Sequence, residues 1–89
     1  MRKIKISKPS KDELDKLGIS KWSPWSCEPS IFDWEYSDNE SAYVFEGKVK
    51  VVTDEETVVF GAGDLVEFPR GLKCRWEVIE PIRKVYKMG

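Results

Sequence analysis

The sequence predicts an all-β domain, a sandwich or barrel of seven or eight short strands preceded by one short helix. Two observations carry this. Residues 31–36 and 73–79 alternate in character: Phe32, Trp34 and Tyr36 against Asp33 and Glu35, then Cys74, Trp76 and Val78 against Lys73, Arg75 and Glu77. That is the period of a half-buried strand. Turn-forming clusters also recur at short intervals, at Ser37-Asp38-Asn39, Asp54-Glu55-Glu56, Gly61-Ala62-Gly63-Asp64 and Pro69-Arg70-Gly71. Their side chains bond nearby backbone or their glycines bend it, and short strands spaced this way build sandwiches and barrels.

Taken in order, residues 3–6 alternate charged and apolar side chains and read as a short edge strand. Ser10-Lys11-Asp12-Glu13 is a capping box, in which each end side chain bonds the other residue's N–H. Leu14 and Leu17 give the following helix an apolar face and Gly18 supplies a left-handed stop. At about two turns the helix needs something to dock on. Residues 19–30, with two prolines and four serines, read as an irregular connector. Its Trp22 and Trp25 are expected to cover a barrel end or a dimer contact. Residues 31–52 read as the organising stretch, three strands joined by turns at Ser37-Asp38-Asn39 and Glu46-Gly47. Strands follow at 57–60, 65–68 and 73–79; Pro81 is expected to break the last of these before a final strand at 82–86.

At 89 residues the chain forms one domain, with the N-terminal strand, helix and connector in 1–30 and the barrel in 31–87. A chain this short buries roughly 60–65% of its unfolded surface, so its core is thin and a second subunit is expected. The net charge of −1 offers no pull toward nucleic acid or anionic lipid. The N-terminus carries charges and no long apolar run, so neither a signal peptide nor a membrane span is expected and the chain reads as cytoplasmic. Cys27 and Cys74 are far apart and form no CxxC pair, which argues against a disulfide scaffold. The sequence has no histidine. Ser-His-Asp catalysis, His-ligated metals and imidazole acid–base chemistry are therefore excluded.

The turn residues carry a more specific message. Glu40, six residues and then Gly47 fit the back half of the first cupin motif, and Gly63, Pro69, Gly71 and Cys74 fit the second at the right spacings. With YVFEGKVKV, GAGDLVEFPRGLKCRW and the Trp-rich WSPW, the chain resembles the small single-domain cupins related to ethanolamine-utilisation cupins and ureidoglycine aminohydrolases. The resemblance covers residues 31–86. It implies an RmlC-like jelly-roll barrel, often homodimeric, with a pocket between its two sheets. In metal-bearing members four side chains grip one divalent ion there, and the corresponding positions fall on Trp34, Tyr36, Glu40 and Cys74. Trp cannot ligate, and neutral Tyr is a poor ligand. One carboxylate and one thiol make a weak set, so no cofactor is expected.

If Glu40 and Cys74 point inward, strand parity places Trp34, Tyr36, Val66, Phe68 and Trp76 inward too. Two readings of this cluster stand. One is an aromatic-walled pocket for a small planar or cationic ligand, lined by Trp34, Tyr36, Glu40, Cys74 and Trp76. The other is a barrel filled by its own aromatics and acting through its outer surface. Inside a barrel, the carboxylate of Glu40 would be desolvated and its pKa raised unless Tyr36 or a cation bonds it. It is the candidate general base or cation anchor, or a purely structural partner of Tyr36. Cys74 is a candidate nucleophile, soft ligand or small buried hydrophobe, and the last is favoured because no His exists to activate it. Arg83 and Lys84 lie on the last strand; one of them can face in, and surface charge is the favoured reading. Shifting the first motif by one residue gives a rival metal set of Asp33, Glu35, Glu40 and Cys74, and with it a metal-dependent enzyme like the aminohydrolases. Burying those acids would expose Phe32, Trp34 and Tyr36, so the aromatic face is expected to turn inward.

Overall fold

The structure, a computed structural model, describes residues 3–89; Met1 and Arg2, which the domain range includes, lie outside it. The elements in order are β1 (Lys5–Ser7), α1 (Lys11–Leu17), a 3₁₀ turn (Ile19–Lys21), β2 (Ser23–Cys27), β3 (Ser30–Glu35), β4 (Glu40–Val52), β5 (Thr57–Gly61), β6 (Leu65–Phe68) and β7 (Lys73–Met88). All pairings are antiparallel. Among the described residues no helix is long and apolar enough to cross a membrane.

Two long strands organise the fold. The first half of β4 pairs β6, and β6 pairs β1. Its second half pairs β5. Throughout, β4 also runs beside β7. On its other side β7 binds β3 along its first half and β2 along its second. The result is one seven-stranded antiparallel sheet in which β4 and β7 serve two runs, β1-β6-β4-β7-β2 and β5-β4-β7-β3.

The course of β4 and β7 corrects two expectations. Glu46-Gly47 does not turn the chain; β4 continues through it, with its register against β7 shifting between Val44 and Val49. This bulge absorbs an odd residue, because the buried side chains of β4 change from even positions (Glu40, Ala42, Val44) to odd ones (Val49, Val51). Gly47 has φ of 102°, and a Cβ there would strike the Pro81 carbonyl and come within 2.7 Å of the Ile82 Cα. Only glycine lets the strands pass so closely. Pro81 in turn does not break β7. It sits at the irregular crossing, where its missing N–H is tolerated.

Three further corrections follow from pairing. The 31–52 stretch is not a hairpin system, since β3 pairs β7 and not β4. Two strands remain of the three expected, β3 and the undivided β4. Residues 19–30 are not irregular throughout: Ser23–Cys27 add an edge strand to β7, and Pro24 is accommodated at that edge.

The N-terminal helix carries its capping box, with Ser10 Oγ accepting from the Glu13 N–H at 3.2 Å and Glu13 Oε1 from the Ser10 N–H at 3.1 Å. Gly18 closes it at φ 72°. Its residues are nowhere buried, so the caps hold it more than docking does. Lys8 donates to buried Asp64 at 2.7 Å, and the Ile4 N–H to Glu56 at 2.9 Å, which ties this segment to the barrel.

Candidate functional site

The interior has a packed part and an open part. In the packed part Tyr36 stacks on Phe68 with centroids 4.6 Å apart, and Phe60 meets Phe68 and Trp76 edge-on. Val49, Val51 and Val66 complete it with no exposed surface. Beside it lies a cavity of about 270 Å³.

The register explains what faces this cavity. Val44 pairs Lys84 and Ala42 pairs Tyr86, so even positions of β4 and β7 share the inner face. Glu40 and Lys84 therefore meet inside. Lys84 Nζ donates to Glu40 Oε2 at 2.9 Å, with the two residues only 6% and 7% exposed. The ammonium also lies 4.8 Å from the Trp76 ring centroid, 5.0 Å from that of Trp25 and 5.5 Å from that of Tyr86. An ion pair taken out of water survives where the partner charge and ring faces replace hydration. Burial lowers the Lys84 pKa from its ordinary value, and the Glu40 charge and hydrogen bond oppose that shift.

Phe32 stacks on Trp76 at 5.9 Å and Trp25 meets it edge-on at 5.9 Å, making the walls. The indole N–H of Trp76 donates to the Tyr36 hydroxyl at 3.1 Å. Burial, with the nearby Glu40 charge adding, pushes the Tyr36 phenol well above its ordinary range.

Of the residues singled out in the sequence, Trp34, Tyr36, Glu40 and Trp76 line this cavity together. Trp34 is not a buried wall, however. It stands at the lip, 52% exposed, edge-on to Tyr36 at 6.4 Å. Cys74 is buried but faces a second, open groove of about 700 Å³ that it shares with Trp34, Asp33 and Arg75. Burial first, then the Asp33 and Glu40 charges, push its thiol up to about 11. That leaves it protonated and a poor nucleophile at neutral pH. Glu40 bonds Lys84 and not Tyr36. Lys84 itself, expected on the surface, is the polar centre of the interior.

The residues do not fit a divalent ion. The rival set does not converge: Asp33 pairs loosely with Arg75 on the outer face at 3.5 Å, Glu35 is exposed, and Glu40 is engaged by Lys84. Among the described residues no three His, Cys, Asp or Glu side chains come together. At the other four positions, an indole, a neutral phenol whose proton burial holds and a protonated thiol lack the anionic or imidazole donors that a first-row metal takes. A lysine ammonium already sits against the remaining carboxylate.

A small antiparallel β-barrel with a cavity in its interior is the architecture of a cupin. The chain belongs to the EutQ-like cupin domain family, whose pattern spans residues 14–86. It is similar to a DUF861 family protein from Thermotoga maritima, 48% identical, with a TM-score of 0.96 over 98% of this chain and 100% of that one. The EutQ protein of Clostridium difficile is 27% identical, with a TM-score of 0.66 over 71% of this chain and 50% of that one. Acetate kinase EutQ of Clostridioides difficile strain 630 is 31% identical over 57 residues, 64% of this chain. The chain spans only 36% of that curated relative's length.

Proposed function

We propose that this cupin binds a small, flat organic molecule in the cavity beside Glu40 and Lys84. The observation that carries the reading is that enclosed space with aromatic walls and one fully paired charge couple. Rings supply apolar contact and stacking, and a few placed polar groups set orientation, which is how small-molecule sites are built. Because Glu40 is neutralised by Lys84, a neutral ligand is favoured over a cationic one. The reading includes a cytoplasmic homodimer. A kinase activity like that of the EutQ relative finds little support, since among the described residues Lys84 is the one cation lining the cavity and phosphoryl chemistry leans on several.

The test is a thermal-shift screen of flat metabolites against the protein and its Trp34→Ala variant. Trp34 is a lip residue, so the variant should keep the fold. A ligand at about a hundred times its Kd stabilises the folded state by about 2.7 kcal/mol. The variant should lose most of that shift. A ligand that shifts both proteins equally binds elsewhere, and a screen with no ligand defeats the reading.

A further inference from the structure

The reading above uses Glu40 and Lys84 only to set a ligand's orientation. Their placement is specific. Among the described residues lining the cavity, Lys84 is the sole amine, and its side chain is 7% exposed. Its Nζ is 2.9 Å from a carboxylate oxygen and under three aromatic rings. We propose that Lys84 is a reactive amine that forms an imine with a flat aldehyde or ketone bound in the cavity, with Glu40 moving the protons. This rests on the cavity being a small-molecule site and names the class of molecule.

The steps balance within the pair. The proton passes along the Nζ–Oε2 hydrogen bond, leaving a neutral amine beside a carboxylic acid. The amine nitrogen attacks the carbonyl carbon while Glu40 returns the proton to the carbonyl oxygen. A C–N bond forms and the C–O π bond becomes a hydroxyl. Glu40 then takes a proton from nitrogen and delivers it to that hydroxyl, which leaves as water. The product is a protonated imine on Lys84 paired with the Glu40 carboxylate, the same charge arrangement as at the start. No oxidant or reductant is used. A lysine held in apolar surroundings is the usual carrier of this chemistry, because desolvation frees its lone pair. Burial acts in that direction on Lys84.

The experiment treats the full chain with benzaldehyde and sodium cyanoborohydride at neutral pH, then maps the benzylated lysines by mass spectrometry over time. Benzyl alcohol, with the same ring and no carbonyl, reports occupancy of the cavity alone by thermal shift. Lys84 should be labelled at least about tenfold faster than the surface lysines, which have no aromatic cavity around them to hold the aldehyde. Glu40→Gln, confirmed folded by its melting curve, should slow that labelling by about a hundredfold, the usual size of a lost acid–base group. If benzyl alcohol stabilises the protein but Lys84 is labelled no faster than the surface, the imine is wrong and the binding site stands. If neither happens, both readings fall.

Discussion

Phe68 and Lys84 project into the same barrel and make opposite kinds of interior. Phe68 is buried with the ring centroids of Tyr36, Phe60 and Trp76 at 4.6 to 6.0 Å, and Val49, Val51 and Val66 have no exposed surface. Around Lys84 three rings stand off at 4.8 to 5.5 Å from a charge, and the space beyond is open. Trp76 belongs to both. The contrast shows how one small barrel can be stable and still hold a cavity: close packing is concentrated on one side, and the other is kept open by an ion pair that needs room and partners. Neither of the two sequence readings, pocket or filled barrel, describes the whole interior.

The sharpest way to break this division is to empty the packed side. Phe68→Ala should destabilise by about 4 kcal/mol, because rings locked on three sides cannot collapse into the void. Urea unfolding should show a lower midpoint at an unchanged slope. A loss below about 1 kcal/mol would mean that this side is no better packed than the other. The next effect is electrostatic. Lys84→Met keeps the length and removes the charge, leaving Glu40 buried without a partner, at a cost of about 3 kcal/mol. Adding Glu40→Gln should recover at least half of that, since the penalty comes from the stranded carboxylate. If the double variant is as unstable as the sum of the singles, the two side chains do not act as a pair.

The packed side was largely legible in the sequence. Alternation placed Trp76, Val78 and Tyr36 inside, and the turn at Gly61–Asp64 is held as its residues suggest, with Asp64 Oδ2 accepting from the Gly61 N–H at 2.8 Å. What could not be read locally was pairing. A glycine at positive φ serves a turn or a bulge equally well, so Glu46-Gly47 looked like a chain reversal until β7 was seen running past it. Pro81 reads as a strand end because it has no N–H for the ladder, yet the register shift at this crossing leaves that donor unneeded. Reading it as a break also hid Lys84. Carrying the even parity of Cys74, Trp76 and Val78 through Pro81 puts Ile82 and Lys84 inside, and an inward Glu40 was already in need of a cation. The general rule that lysine stays outside prevailed over that parity.

The smallest effect sharpens the other limit of the packed side, where it meets the second groove. Cys74 is buried, yet it borders the open groove below Trp34. Its thiol is held up at about 11 against an ordinary 9.0. In the unfolded chain the proton leaves near pH 9, while the folded chain keeps it to about pH 11. Across that window the unfolded state binds fewer protons, so stability falls as pH rises. Lys84 works in the opposite sense: its folded pKa is lowered, so the unfolded chain holds the extra proton below its ordinary 10.5, and stability rises with pH there. Comparing the wild type with Cys74→Ala separates the two, because Lys84 is common to both. Between pH 9 and 11 the melting temperature of the wild type should fall more steeply than that of the variant. Parallel curves would mean that water from the groove reaches the sulfur, and the packed side would then end at Trp76 instead of at Cys74.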